Sequence, residues 1–312
     1  MTRVLTSVVA GEAVDAGAER PDVNPSDLSD VVAVARMADE QTARDAVSSA
    51  AAAFPQWSRA TPWQRAEILD RAGTEILARA DELGDLLARE EGKTLAEARG
   101  EVVRAAQICK YFAGVALQPH GLALDSVRPG IEVAVTREPV GVVSVITPWN
   151  FPIAIPAWKI APALAFGNTV VFKPADLVPA SAWELVDILN RAGLPAGALN
   201  LVLGRGSAVG PVLTGSPGVS AISFTGSVDT GRAVSGPLGS AARPRRTSSR
   251  PTTSTTGSSR PWPSAWPSGR SAMRGRQERT WGRSWTTASS SRTDGSCRSR
   301  AMRGRRSSAV GP

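Results

Sequence analysis

Apolar residues in the stretch 140–173 follow the pattern of a strand, a helix and a second strand. Val142 to Ile146 is rich in β-branched residues and has the length of a buried strand, and residues 170–172 form a second such run. The segment between the two runs is long enough for a crossover helix. The pattern therefore predicts a βαβ unit, which is the starting element of a parallel sheet.

The same alternation of strand and helix continues after this unit. Residues 181–192 predict a helix, residues 199–203 a strand, and Val219 to Phe224 a further strand, with Gly206 and Gly210 near the start of the helix between the last two strands. Repeated βαβ units predict a doubly wound α/β fold of the nucleotide-binding kind. In such sheets ligands bind at the carboxyl ends of the strands.

The N-terminal portion predicts two strand pairs followed by long helices. Residues 4–9 with the turn at Gly11 indicate a hairpin, and the Asn24-Pro25 turn before alternating valines indicates a second pair. Helical spacing covers residues 41–54, residues 62–93 with Thr61 as the N-cap, and residues 95–117. The expected apolar face of the 62–93 segment consists of Ile68, Leu69, Ala72, Ile76, Leu77, Leu83 and Leu86. Residues 126–136 then alternate as an extended arm.

Charge divides the chain into two unlike parts, 1–234 and 235–312. Residues 1–234 contain 20 Lys and Arg against 26 Asp and Glu, a net charge of −6, whereas residues 235–312 contain 16 Arg and two acids, a net charge of +14. These two values give the overall +8. The high isoelectric point is therefore a property of the tail, and the body has the composition of an acidic globular domain.

Two cysteines, Cys109 and Cys297, are too few for a disulfide framework, and we expect a cytoplasmic protein. The N-terminal apolar run is too short and too soon followed by acids for a signal peptide, and no segment predicts a membrane span. Cys109 lies on the apolar face of a helix, so we expect it in the core. His120, the only histidine, follows a proline in a loop, and we expect no catalytic role for it.

Three motifs carry a resemblance to a known family. ITPWNFP at 146–152, WK-x-APAL-x-x-GNTVV-x-KP at 158–174 and SFTGS at 223–227 resemble the aldehyde dehydrogenase superfamily, and the match covers about residues 4–234. The resemblance implies an incomplete nucleotide-binding domain of that type, NAD(P)-dependent oxidation of an aldehyde to a carboxylate, and a homo-oligomer in which the 126–136 arm belongs to the oligomerisation hairpin. The 173–176 turn and the 126–143 segment resemble enzymes that oxidise 2-oxoglutarate semialdehyde.

The resemblance also implies a cofactor site, although no GxGxxG follows the first strand. Lys173 would donate to a ribose hydroxyl; its alternative reading is a solvated strand end. Asp176 stands where the family has a glutamate that accepts from the adenosine ribose. A carboxylate there repels a 2′-phosphate and favours NAD, whereas an aspartate, one methylene shorter than glutamate, leaves room for the phosphate of NADP, so both cofactors stay open. Ser227 would begin the next helix, so that its amide and hydroxyl face the phosphate of the cofactor at a helix N-terminus. The implied set is Ile146, Thr147, Pro148, Trp149, Lys173, Asp176, Gly206, Gly210, Phe224, Thr225, Gly226, Ser227 and Thr230.

Asn150 carries the one catalytic role that the resemblance transfers. Its side-chain amide would donate to the oxyanion of a thiohemiacetal, and one such donor is worth roughly 100- to 1000-fold in rate. The alternative is a turn residue that bonds its own backbone. The family's Gly-Gln-x-Cys nucleophile, its Glu-Leu-Gly-Gly-Lys base and its nicotinamide-ribose glutamate have no counterpart here, and Cys297 lies in an unlike setting. We therefore expect this chain to be inactive.

The tail, residues 235–312, is rich in Arg, Ser, Thr, Pro and Trp and has too few aliphatic residues to form a core. One interpretation is an RNA-binding arm in which Trp262, Trp266, Trp281 and Trp285 stack among arginines. The interpretation we favour is a frameshifted reading of the catalytic domain, which would be disordered. The chain as a whole thus has three possible functions: an aldehyde dehydrogenase, a non-catalytic nucleotide-binding fragment, or a basic nucleic-acid-binding protein.

Overall fold

The structure, a computed structural model, describes residues 2–241, with side chains up to residue 235. The described residues belong to one compact unit. The last described helix begins at Val228 and runs to Ala241, across the predicted boundary at 234. The predictions of a disordered tail and of RNA-stacking tryptophans fall outside the described residues.

Eleven strands and eight helices form within residues 2–241. In chain order they are β1 (Val4–Leu5), β2 (Ser7–Val9), β3 (Glu12–Val14), β4 (Ala18–Val23), β5 (Val31–Met37), α1 (Glu40–Trp57), α2 (Pro62–Ala78), α3 (Ala80–Glu91), α4 (Leu95–Ala116), β6 (Leu122–Asp125), β7 (Glu132–Val135), β8 (Val142–Ile146), α5 (Ala154–Ala165), β9 (Thr169–Lys173), α6 (Pro179–Arg191), β10 (Leu199–Leu201), α7 (Gly206–Gly215), β11 (Val219–Phe224) and α8 (Val228–Ala241).

The central sheet has the strand order β11-β8-β9-β10-β2-β3. Its first four strands run parallel, and the β2-β3 hairpin adds two antiparallel strands at the far edge. The prediction of a doubly wound parallel sheet is therefore confirmed. A second sheet, β1-β5-β4, and a separate hairpin, β6-β7, complete the described strands.

Alternate residues of the inner strands pack into two apolar clusters on opposite faces of the sheet. Val143, Val170 and Phe172 face the larger cluster with α2 to α6, whereas Val142 and Val171 face the smaller one with α1 and α7. Strands covered on both faces read as continuous apolar runs, and such a run predicted these strands from the sequence. Cys109 lies in the larger cluster and is fully buried, as predicted; burial raises the pKa of its thiol to about 12.

The helical segment predicted from residue 62 to 93 is two helices rather than one. The chain leaves helical geometry at Arg79, where φ is −97° and ψ is 19°, and the guanidinium bonds to Glu82 and Glu184. Leu77 is 47% exposed, which corrects its place on the predicted apolar face. The reason is spacing: Ile76 ends the buried stripe of α2, and Leu77 lies about 100° further round the helix.

Of the extended arm predicted over residues 126–136, only Glu132–Val135 is a strand, and residues 126–131 form the turn of a hairpin. Its first strand, β6, begins earlier at Leu122, and a turn separates it from β7. Both strands are exposed along their whole length. The role of this hairpin in oligomerisation stays a prediction. Within residues 2–241, no helix combines the length and the apolar character needed to cross a membrane.

Candidate functional site

One cavity of about 780 Å³ lies at the carboxyl ends of β8, β9 and β11. All fourteen residues predicted from the sequence line it: Ile146, Thr147, Pro148, Trp149, Asn150, Lys173, Asp176, Gly206, Gly210, Phe224, Thr225, Gly226, Ser227 and Thr230. The prediction missed five further lining residues, Ala175, Pro211, Thr214, Ala233 and Val234. Small or apolar side chains of this kind carry no signal that separates them from packing residues.

Strand register brings the three turns together. Ile146 lies opposite Lys173 on one side and Phe224 on the other, so the three strands end at the same level. Two backbone hydrogen bonds continue the pairing beyond the strands: Thr147 N donates to Lys173 O at 3.3 Å and Thr225 N donates to Ile146 O at 3.0 Å. The side chains that follow each strand therefore face one space.

Lys173 is buried, with 5% of its surface exposed, which excludes the solvated strand end considered above. Its Nζ donates to the Pro174 carbonyl at 2.8 Å. Burial lowers the pKa of this ammonium, and the nearby Asp176 carboxylate opposes that shift. An ammonium has three donors, and the Pro174 carbonyl is the acceptor found for it among the described residues, so donors remain for a ligand in the cavity.

Asp176 lies three residues after Lys173 and is bonded to an arginine from another sheet. Arg20 Nη1, on β4, donates to Asp176 Oδ2 at 2.6 Å and to Asp176 O at 2.8 Å. Both side chains are partly exposed, 29% for Arg20 and 35% for Asp176. Sequence reasoning missed Arg20 because 156 residues separate it from its partner.

A buried carboxyl pair, Asp22 and Glu90, lies beside the start of α6. Glu90 accepts from the backbone N–H groups of Ala180 and Ser181 and so caps the start of α6. Burial raises the pKa of Glu90 well above its usual range, and it raises the pKa of the neighbouring Asp22 to about 6. Glu90 therefore holds α6, which begins just after the Asp176 turn.

The turn after β11 combines a glycine with a helix cap. Ser227 Oγ accepts from Thr230 N at 3.2 Å and lies 2.9 Å from Thr230 Oγ1, which makes Ser227 a capping residue at the start of α8. A Cβ on Gly226 would lie 2.6 Å from the Phe224 ring. The glycine therefore lets the ring fold over the turn, a packing reason that the motif alone did not indicate.

Asn150 sits in a turn that is held from α4. Glu101 Oε1 accepts from Ile153 N at 3.0 Å and Ala154 N at 3.1 Å, and Glu101 Oε2 accepts from Lys93 Nζ at 2.6 Å. Lys93 Nζ also donates to the Asn150 carbonyl at 3.2 Å. None of the hydrogen bonds described for residues 2–241 uses the Asn150 side-chain amide, so the self-bonded turn considered above is not seen.

A second cavity, of about 1000 Å³, also has Asn150 in its lining. Its other walls come from the end of α3 and the segment after it, from α4, from α5 and from the turn before α5, and they include Phe151, Trp158, Lys93 and Arg104. Asn150 thus lies between the cavity at the strand ends and this second one. A side-chain amide in this place can donate a hydrogen bond to a reacting atom of a molecule bound in either cavity. Over residues 2–241, no group of three or more His, Cys, Asp or Glu is arranged to hold a metal ion.

Fold and cavity together define a doubly wound α/β protein with a candidate ligand site at the carboxyl ends of its parallel strands. Comparison with family models adds a match to the aldehyde dehydrogenase family over residues 13–246. The chain belongs to the aldehyde dehydrogenase family. The match extends past the predicted boundary at 234, so residues up to 246 still follow the family pattern.

Named relatives agree with this assignment. The chain is 42% identical over 218 residues to a 2,5-dioxopentanoate dehydrogenase of Saccharolobus solfataricus, covering 70% of this chain and 46% of the relative. It is 44% identical over 236 residues to an alpha-ketoglutarate semialdehyde dehydrogenase of Haloferax volcanii, covering 75% and 49%. The chain therefore spans about half the length of the curated relatives it matches.

Solved structures share the fold. Betaine aldehyde dehydrogenase of Staphylococcus aureus, in complex with NAD+, superposes with a TM-score of 0.73 at 33% identity, covering 75% of this chain and 48% of the other. The comparison thus aligns about three quarters of this chain with about half of a protein that was solved in complex with NAD+.

Proposed function

We propose that residues 1–234 form the NAD(P)-binding portion of an aldehyde dehydrogenase. The observation that carries the proposal is the convergence of three strand-end turns, with their polar side chains, on the 780 Å³ cavity. Its size suits a small-molecule ligand or cofactor. A relative that binds NAD+ with the same fold supports the identity of that cofactor.

Each part of the cavity has a group suited to a different part of the dinucleotide. Lys173 supplies buried donors and Asp176 an acceptor, and these would hold ribose hydroxyls. The start of α8 at Ser227 offers backbone N–H groups and a positive dipole end, which favour the pyrophosphate. NAD is the preferred form because Asp176 carries a negative charge where NADP carries its 2′-phosphate. In a complete enzyme the bound nicotinamide would accept hydride from the substrate.

Asn150 would serve the other half of the reaction. Its amide lies between the two cavities and can donate to the oxyanion that forms when an aldehyde is attacked. Lys93 and Glu101 hold the backbone of its turn, so the residue that carries the amide is held in place before any ligand arrives. The two semialdehyde-oxidising relatives make a semialdehyde the proposed substrate class.

The chain itself should bind cofactor without turnover. The sequence has no Gly-Gln-x-Cys nucleophile and no Glu-Leu-Gly-Gly-Lys base, and an oxyanion donor alone cannot perform the acyl step. We therefore expect no NADH formation from 2-oxoglutarate semialdehyde. Activity that disappears in Cys297→Ser would instead make Cys297 a relocated nucleophile. A nucleic-acid function would require salt-dependent RNA retention, which we do not expect from the acidic body.

Calorimetric titration with NAD tests the binding proposal. We expect Lys173→Ala and Ser227→Ala each to weaken binding by about ten-fold or more, because each removes a charged or capping group from the cavity. Lys110→Ala is the matched control, since Lys110 is a surface lysine paired with Asp70 on the helical side of the molecule. Unchanged affinity in both cavity variants would show that the dinucleotide does not bind here.

A further inference from the structure

Arg20 is the feature of the cofactor corner that the family motifs do not contain. It comes from β4, on a different sheet, and its Nη1 holds both the carboxylate and the carbonyl of Asp176. Arg20 does not line the cavity itself, whereas Asp176 does. Arg20 therefore acts on a ligand without contact, through its charge and through the position of Asp176.

The pairing changes the charge that a ligand meets at this corner. A free aspartate would present one negative charge to an adenosine ribose and would repel a 2′-phosphate. With Arg20 bonded to the carboxylate, and with Lys173 nearby, the three groups carry a net charge of +1. An arginine beside the ribose position is the device by which nucleotide-binding sheets accommodate a 2′-phosphate.

We propose that Arg20 is a specificity-determining, positioning residue: by pairing with Asp176 it reduces the discrimination against NADP, so that the site accepts both dinucleotides with a modest preference for NAD. The proposal rests on the proposed cofactor site. The pairing geometry also fixes the carboxylate, because two hydrogen bonds from one nitrogen to Oδ2 and to the carbonyl leave the turn little freedom. Within residues 2–241 no hydrogen bond is found to Oδ1 of Asp176, so this oxygen can accept from a ribose hydroxyl.

The test is the ratio of the dissociation constants for NADP and NAD, measured by calorimetry at one fixed low salt concentration. In Arg20→Ala the unpaired Asp176 should raise that ratio by about ten-fold, equivalent to about 1.4 kcal/mol. Arg20→Lys, which keeps the charge, should restore most of the parent ratio. Arg36→Ala is the matched control, because Arg36 lies on the same small sheet and pairs with Asp15 and Glu19 away from the cavity.

A double-mutant cycle separates a specific effect from a general loss of structure. Asp176→Asn should lower the NADP-to-NAD ratio, and Arg20→Ala should raise the ratio less in the Asp176→Asn background than in the parent, because no carboxylate remains for Arg20 to offset and position. A ratio unchanged by Arg20→Ala, or changed equally with and without Asp176, overturns the proposal. Failure of the unmodified chain to bind either dinucleotide overturns the proposed function itself, and the role of Arg20 with it.

Discussion

Replacement of Glu101 should lower the stability of the fold more than most substitutions, although this residue lies within α4 and outside every motif. Its side chain is 1% exposed and makes three hydrogen bonds that join α4, α5 and the Asn150 turn. Two of these come from backbone N–H groups at the start of α5, where helical partners are lacking. Glu101→Ala would leave those groups buried and unpaired.

The size of the effect follows from these contacts. Hydrogen bonds to a charged group contribute about 1.5–3 kcal/mol each, and breaking a buried ion pair from one side costs about 3–5 kcal/mol. These two costs count some of the same contacts and are not added. Lys93 also keeps Glu91 as a second partner at 2.8 Å, which limits the loss. We therefore expect Glu101→Ala to lower the free energy of unfolding by about 3–5 kcal/mol, a large part of the about 5–15 kcal/mol typical of a domain.

Urea unfolding followed by far-ultraviolet circular dichroism measures this cost. Glu97→Ala is the matched control, one turn earlier on the same helix, where an exposed capping box with Thr94 is worth about 1 kcal/mol. The loss of stability in Glu101→Gln should lie between those of Glu97→Ala and Glu101→Ala, because glutamine keeps an acceptor oxygen for the N–H groups of α5 and loses the charge that pairs with Lys93. A loss of less than about 1 kcal/mol in Glu101→Ala would refute the view that this side chain holds the turn.

Three further predictions concern pH, backbone and gene. The folded-state pKa of Asp22 is raised to about 6, so its stabilising contribution is present at low pH and is lost as pH rises through about 6. Between about pH 4.5 and pH 7.5 the free energy of unfolding of Asp22→Asn should therefore rise by about 1 kcal/mol relative to the parent, after allowance for screening. A difference in stability that does not depend on pH would contradict this. Gly17→Ala should lower the free energy of unfolding by about 2 kcal/mol or more, because φ is +99° and a Cβ would lie 2.0 Å from the Met37 carbonyl oxygen. Gly100→Ala, on the open face of α4, should instead raise it by about 0.5–1 kcal/mol. Equal effects of the two substitutions in thermal unfolding would contradict this. Resequencing the gene around the codons for residues 233–246 should reveal one base whose addition or removal opens an intact aldehyde dehydrogenase frame, and the frameshift hypothesis fails if no single shift does so.

The parts of the site that sequence could predict are those set by local pattern. Buried strands read as apolar runs, and the residues after each strand meet because parallel strands end at one edge, so Trp149, Lys173 and Ser227 could be placed together from order alone. Asp176 could be predicted to lie at the site, but its arginine partner could not.

What sequence could not predict depends on contacts between distant elements. Glu101 reads as one more acid on an amphipathic helix, and Arg20 as a charge on an edge strand, until the fold brings each to its partner. The break at Arg79 has a similar origin, because Glu184 from α6 helps to hold the guanidinium there. Helical spacing alone continues through that point.

Hydrogen exchange with mass spectrometry, with and without NAD, tests most directly whether the dinucleotide binds at the strand ends. The cavity is formed by backbone turns, so a bound dinucleotide should slow exchange in residues 147–151, 174–178 and 225–230. Exchange in the exposed β6-β7 hairpin should not change, because it lies outside the lining of this cavity. Slower exchange confined to the three turns is the result we predict; no change there at saturating NAD, or protection only elsewhere, would contradict the proposed site.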